Sequence, residues 1–348
     1  MPDSRPVTLL DVARAAGVGK STVSNVLSGT GRFSDETRRE VLEAAARLGY
    51  QPNRAARRLR GGRTGVVGVH VPGVPSTSEF YMRFVFGAME YLSSRGRDTA
   101  ILGGHERAAF PAVDGVVVAD PHADDPTAVA LLASDVPSVS FERPYGAAMP
   151  RPDVVVRCDH DRALRWVLDH LRHEGSRWPA MMLPPETGDW AVQLGAAYRS
   201  WCRENRVEPV VVPISWIPSP AEIESATAVL LRQHPGVDGL FCAPVDTAPA
   251  TLAVLAAEGR RVGEDFLLAT GTESATAALV QPPITSIDLD PLTAGSRCAE
   301  LLDAVLEGAE RGEVEHPITL RLRSSTRGSG TFTVHGGRVR PRPVPPPR

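Results

Sequence analysis

The residues of this 348-residue chain whose type and spacing could do chemistry fall into two groups. One is a set of imidazoles. His170 and His173 stand three apart in a run with helical spacing and, with His160, could supply nitrogen ligands to a metal. Solvated helix side chains are the simpler reading, and no metal or other cofactor is expected. The other group is cationic. Up to Arg63 there are twelve bases, eleven arginines and Lys20, against six acids; beyond it 26 bases face 35 acids. A net charge of −3 thus hides a basic head on an acidic body. That balance suits a head that meets a polyanion, although a chance surface bias would look the same.

Catalytic patterns are missing. No G-x-G-x-x-G follows the first strand-like run, and there is no G-x-x-x-x-G-K-[ST], G-x-S-x-G or H-E-x-x-H. Acidic pairs are plentiful, but nothing places two across a scissile bond. Cys158, Cys202, Cys242 and Cys298 lie far apart, with no C-x-x-C to suggest a zinc ribbon, redox motif or disulfide scaffold. Apolar residues make up 42% and charged residues 23%, as in ordinary globular proteins. No 18-residue apolar run or secretory pattern appears, so a reduced, cytosolic protein is expected. At roughly 150 residues per domain, the length allows two or three domains.

The elements that must position the basic head are short helices. Thr8 followed by Asp11 reads as an N-cap, with Leu9, Val12, Ala13 and Ala16 at helical spacing and Gly17 as the stop. A second run, Lys20 to Leu27, buries Val23, Val26 and Leu27. Only Gly17-Val18-Gly19 separates the two, the short turn of a helix-turn-helix. Ser34 caps a third helix with Asp35 and Glu36 in its first turn, a Val41, Leu42, Ala45, Leu48 stripe, and Gly49 at its end.

Beyond Arg63 apolar runs alternate with helical stretches: Val66–Val71, Thr99–Leu102, Gly115–Val118, Ser138–Phe141, Asp153–Val156, Ala180–Leu183, Val210–Val212, Gly239–Cys242 and Phe266–Ala269. The fold class is therefore an N-terminal all-α helix-turn-helix domain followed by an α/β body with parallel sheets.

The stretch from Val7-Thr-Leu-Leu-Asp-Val-Ala-Arg-Ala-Ala-Gly-Val through Thr22-Val-Ser-Asn-Val-Leu, then Pro52-Asn53 and Arg57-Arg-Leu-Arg, resembles the LacI/GalR family of bacterial transcription regulators. The likeness is close from Val7 to about Val71 and traceable to Thr326. It implies a helix-turn-helix domain over 1–50, a hinge over 51–63 and a two-lobed, periplasmic-binding-protein-like effector and dimerisation domain over 64–326. Val113-Asp-Gly-Val-Val and Val237-Asp-Gly-Leu-Phe look like paired lobe signatures, and Arg323–Thr326 resembles the family's terminal strand.

By resemblance, Lys20, Ser21 and Asn25 face base edges. Their chemistry suits this: Lys donates to guanine, Asn pairs with adenine, and Ser serves either. Many relatives carry Arg where this chain has Asn25, so the operator base should differ there. Thr22, Ser24 and Asn53 hold phosphates, and Thr8, Arg54, Ala56 and Arg57 complete the DNA-facing set. The hinge is too short and charged to be helical alone and should fold on DNA against a partner hinge. Leu59 matches the leucine that wedges into the minor groove, the alternative being an exposed linker leucine.

The resemblance also places effector-contacting residues after the strands: Phe80, Tyr81, Phe141, Glu142, Trp190, Gln193, Asp246 and Glu273. Aromatic faces ringed by acids and amides suit a sugar or nucleoside, although Phe80, Phe141 and Trp190 could equally be core aromatics. Relatives commonly carry Arg near Gln193, Asp near Glu273 and Asn where Val245 stands. The stretch from Gly104 to Val113 leaves no room for a crossover helix. The effector therefore does not carry over.

The tail, 327–348, has five arginines and no acid, with five prolines after His335, and is expected to be disordered. It lacks leucine heptads, so a dimer is expected. The reading is a homodimeric repressor of palindromic operator DNA, modulated by a small molecule and not an enzyme. Open alternatives are a same-family activator or a regulator answering to a protein partner or to no ligand. More distant is a carbohydrate-acting enzyme tethered to DNA.

Overall fold

The computed structural model describes residues 7–28, 31–50, 63–73, 78–103, 110–147 and 149–341. The chain divides into two compact units, Met1–Thr64 and Gly65–Arg348. No described helix is long and apolar enough to cross a membrane.

The first unit holds α1 (Leu9–Ala15), α2 (Lys20–Ser28) and α3 (Asp35–Arg47). Asp11 closes the start of α1 by accepting from the Thr8 amide at 2.9 Å and the Thr8 hydroxyl at 2.6 Å. Gly17 (φ +65°) ends it in the left-handed region, and Val18 N–H reaches back to Ala13 O at 3.1 Å. Gly49 (φ +63°) repeats the device after α3, with Tyr50 N–H on Ala45 O at 2.9 Å. Only φ demands glycine at these two points, because a Cβ there would meet nothing within 4 Å. Val12, Ala13, Val23, Val26, Val41, Ala44 and Ala45 form the small core, ringed by Leu9, Val18, Phe33 and Tyr50.

The second unit is built on two sheets. Strands β1 (Val66–His70), β2 (Asp98–Ile101), β3 (Gly115–Ala119), β4 (Ser138–Phe141), β5 (Val154–Arg157) and β11 (Gly312–Glu315) make an all-parallel sheet in the order β11-β5-β4-β3-β1-β2. The other eight-stranded sheet runs β14-β13-β12-β10-β9-β8-β6-β7. It comprises β6 (Pro179–Leu183), β7 (Val211–Pro213), β8 (Gly239–Cys242), β9 (Leu267–Thr270), β10 (Thr285–Asp288), β12 (Ile318–Leu322), β13 (Gly330–His335) and β14 (Arg338–Pro341). Central strands such as β3, β6, β8 and β9 are buried throughout, which is why they read as unbroken apolar runs. Edge strands β2 and β7 are not.

The linking helices are α4 (Glu79–Ser94), α5 (Pro126–Leu132), α6 (His160–His173), α7 (Asp189–Asn205), α8 (Pro220–Gln233), α9 (Thr247–Ala257), α10 (Ala275–Leu279) and α11 (Pro291–Leu306). The chain leaves the first lobe after β5, returns after β10 and leaves again after β11. His316 stitches the last two crossings, its Nε2 lying 2.8 Å from Leu289 O. α4 and α11 pack so closely that a Cβ on Gly87 or Gly295 would overlap the other helix's backbone. The aspartates of the two lobe signatures do the same local work. Asp114 accepts from Gly65 N–H at 2.8 Å, and Asp238 from Arg177 N–H, Trp178 N–H and the Ser176 hydroxyl at 2.7–2.9 Å.

Two expectations are corrected here. Arg323–Thr326 is not a strand: β12 ends at Leu322 and Ser324–Thr326 forms a 3₁₀ turn. The tail is ordered through Pro341, because β13 pairs with β12 and β14 returns along β13. Its prolines and arginines obscured an alternating Thr331-Phe-Thr-Val334 run followed by Gly336-Gly337, both at positive φ, a hairpin signal. Val334 is buried and Phe332 packs on Trp166, with ring centroids 4.8 Å apart. Residues 342–348 lie outside the described residues. Strands β10, β11 and β12 were not anticipated either. No helix occurs among the described residues between β2 and β3, while 104–109 lie outside them.

Candidate functional site

The head offers one helix face. Val23 and Val26 turn α2 inward, and the 3.6-residue period leaves Lys20, Ser21 and Asn25 exposed together on its outer side. Thr22 and Ser24 flank that face half-buried, and Thr8 stands exposed at the start of α1. A cation, a hydroxyl and a carboxamide on one rigid helix surface can donate to and accept from base edges. Asn53, Arg54, Ala56, Arg57 and Leu59 lie outside the described residues.

The body's candidate site lies at the carboxyl ends of the strands, where both sheets have a topological switch point. In the first lobe Phe80 and Tyr81 begin α4, Asp120 follows β3, Glu142 follows β4, and Cys158 and His160 follow β5. Asp120 (φ +44°) and Glu142 (φ +68°) are non-glycine residues in the left-handed region, a conformation that costs about 1–2 kcal/mol. Asp246 (φ +57°) repeats this after β8 in the other lobe. Each sharp turn stops the strand and sets its carboxylate at the sheet's end.

Tyr81 donates its hydroxyl to Asp120 at 2.8 Å. His160 Nε2 lies 2.9 Å from Glu142 Oε1, and Cys158 N–H donates to Glu142 Oε2 at 3.3 Å. Phe141 is fully buried. It packs under Phe80 (ring centroids 6.2 Å), Phe84 (5.4 Å) and His316 (6.0 Å), so it is a floor and not an exposed wall. Across the cleft, Asp189 opens α7 and accepts from Gln193 Nε2 at 2.6 Å, while Trp190 and Trp216 stand 5.7 Å apart.

These carboxyls are electrostatically crowded. Burial, then the neighbouring Glu142 charge, pushes Asp120 up to about 7. The same two causes raise Asp189, although it belongs to the other lobe, while Gln193, His160 and Arg143 oppose the rise. Burial works against a charged His160, but Glu142 outweighs it and raises the ring. The protonated form is thus held by a carboxylate within hydrogen-bond reach.

Of the residues expected to line the effector site, the structure brings Phe80, Tyr81, Glu142, Trp190 and Gln193 into this neighbourhood. Asp246 and Glu273 belong to other networks. Asp246 is exposed and accepts from the Ser274 hydroxyl at 2.7 Å. Glu273 is held by Arg323, whose Nη2 alone lies 2.8 and 2.9 Å from its two oxygens, and by the Ser286 hydroxyl. His160 and His170 correct the picture of solvated histidines: His160 is buried on Glu142, and His170 is half-buried, bonded to Thr326 and stacked on Trp166. Sequence reasoning missed Asp120, Asp189 and Trp216 altogether. Asp120 was within reach, since it ends the apolar run Gly115–Ala119 at the position where α/β sheets bind ligands.

Residues 8–53 match the family described as bacterial regulatory proteins, lacI family, and residues 168–326 match the periplasmic binding protein-like domain. The chain is 33% identical over 341 residues to the HTH-type transcriptional regulator CelR of Thermobifida fusca, spanning 93% of this chain and 98% of that protein. It is 29% identical over 339 residues to the maltose regulon regulatory protein MalI of Escherichia coli K12, with 92% and 96% covered. Among solved structures, the CelR–cellobiose complex superposes with a TM-score of 0.67 at 30% identity, covering 92% of this chain and all of that one. The lac repressor dimer bound to operator and an anti-inducer shares the fold, with a TM-score of 0.79 at 22% identity over 92% and 99% of the two chains.

Proposed function

This chain belongs to the LacI family of bacterial regulatory proteins, and from that premise we propose that it is a homodimeric repressor released from, or locked onto, palindromic operator DNA by a small hydroxylated effector. The relatives it matches are regulators and not enzymes. The observation that carries the DNA-binding part is the outward row of Lys20, Ser21 and Asn25 on a helix whose opposite side is locked into the head's core. In this reading Thr8, Thr22, Ser24 and Asn53 hold phosphates. Arg54, Ala56, Arg57 and Leu59 form a hinge that orders on DNA.

The body supports the rest. α4 exposes Met82, Phe86 and Met89 at i, i+4 and i+7 while its other side is buried, and Leu279 of α10 is 78% exposed. A helix apolar on both sides needs a second partner, which a twofold copy of the chain supplies. The cleft offers the Phe80, Trp190 and Trp216 rings with the carboxyl groups of Asp120 and Asp189 and the Gln193 amide. Rings stack on the C–H faces of a sugar while acids and amides take its hydroxyls. A cellobiose complex of a relative 30% identical to this chain makes a sugar the first class to test. An effector acts by its differential affinity for two lobe arrangements, so release and locking are equally available.

Selection of bound sequences from a random DNA pool, with and without a sugar panel, tests this reading. The expected result is a twofold-symmetric site whose occupancy changes with one sugar. An asymmetric site, or none under any condition, would overturn it.

A further inference from the structure

Three unlike donors converge where β4 and β5 end. The donor atoms of Glu142, Cys158 and His160 all lie within 4.8 Å of one another. The three side chains belong to residues that are 1%, 0% and 1% exposed. We propose that this trio binds a zinc-class divalent cation through Cys158 Sγ, His160 Nε2 and a Glu142 carboxylate oxygen.

The donor set selects the metal. Thiolate and imidazole suit borderline ions such as Zn²⁺ and Co²⁺, whereas Mg²⁺ and Ca²⁺ want oxygen alone. Bond lengths of about 2.0–2.3 Å put neighbouring donors of a tetrahedral ion about 3.4–3.6 Å apart. The 2.9 Å His160–Glu142 contact must therefore open by roughly half an ångström, and the widest separation must close by about one.

Charge argues the same way. Glu142, Asp120 and Asp189 crowd one region against the His160 imidazole and Arg143, the latter shared with Glu313 at 3.1 Å. A dication compensates what these two do not. A fourth position is left to a water or to an oxygen of a bound effector. Coordination releases two protons to solvent, one from the Cys158 thiol and one from His160 Nε2. A packed cysteine would account for the sulfur alone, but not for a carboxylate and an imidazole meeting it in the dry interior. Among the described residues no other such trio occurs.

This goes beyond the regulatory reading and does not depend on it, because metal uptake is measured without DNA or sugar. The full chain, stripped with a chelator, is titrated with Co²⁺. The expected result is one equivalent bound with a near-ultraviolet thiolate-to-cobalt band, displaced by Zn²⁺. The band disappears in Cys158→Ser and persists in Cys298→Ser, which removes another buried thiol. No stoichiometric uptake, or a band that survives Cys158→Ser, would overturn the proposal. Zinc-edge X-ray absorption on the unaltered protein removes any dependence on variant folding. A shell with one sulfur among nitrogen and oxygen neighbours supports the site, and a shell without sulfur refutes it.

Discussion

The DNA-reading face of the head and the cleft of the body solve opposite problems. On α2 the working residues are exposed, polar and contiguous, and a small apolar core only has to hold the helix still. In the cleft the working residues are buried or half-buried and titratable, and they come from Tyr81, Asp120, Glu142, His160 and Asp189, more than a hundred residues of chain. A group in water costs little and keeps its ordinary chemistry, while a buried one must find a partner or change its protonation. The comparison teaches that a DNA-reading surface tolerates substitution in its fold but not in its specificity, and that a charged cleft does the reverse.

The sharpest way to break the comparison is His160→Ala. It leaves Glu142 buried without its partner, and a loss of about 3–5 kcal/mol is expected. Calorimetry of the metal-free protein should show the body melting earlier. If the melt is unchanged, the cleft pair holds nothing together.

Asp120→Asn comes next, with its effect confined to one pH range. A carboxyl raised in the folded state binds a proton there that the unfolded chain has lost. Its stability contribution is therefore intact near pH 4 and is lost as pH rises towards and past about 7. The variant's advantage over the parent should vanish below about pH 4 and grow as pH rises, being larger at pH 8.5 than at pH 5 by on the order of 2 kcal/mol in urea unfolding. A gain that is equal at both values would mean that Asp120 does not titrate in this window.

In the head the expectation inverts. Asn25→Ala should leave the melt untouched and cost about 1–3 kcal/mol of operator affinity, with preference relaxed at one base position. Equal loss on every DNA sequence would remove Asn25 from base reading. The smallest effect is expected from Gly17→Ala, where an L side chain must enter the left-handed region for about 1 kcal/mol of head stability. Helix content followed by circular dichroism measures it; a stabilised head would show that φ relaxes at that turn.

How much was legible follows from the range of the forces involved. Thr8, Asp11, Gly17, Ser34 and Gly49 act on backbone within five residues of themselves, so the head's helices and turns could be read locally; the apolar stripe of α3 differs at one position, Leu42 being exposed while Ala44 is buried. Of the nine apolar runs that became β1 to β9, the central ones were legible because parallel strands are buried on both faces, and the edge strands β2 and β7 by their short apolar runs alone. β10 to β14 were not. β10 and β12 carry Ser286, Asp288 and Arg321 inside the sheet, where Asp288 and Arg321 pair at 2.7 Å, so their apolar signal is interrupted by partners distant in sequence. The β13–β14 hairpin was masked by the composition of the residues after it.

By itself, the sequence determined the helix-turn-helix, the outward set on α2, the α/β class of the body and the family. Local capping, 3.6-residue periodicity and long apolar runs need no knowledge of what lies opposite. Only the tertiary structure decided that Glu142 meets His160 and Cys158, that Asp189 faces Glu142 from the other lobe, and that Glu273 is tied to Arg323. Those pairings join residues up to 50 positions apart in dry or half-dry surroundings. There the strength of each interaction is set by the partner and by the water excluded, and neither is written in the spacing of the residues that take part.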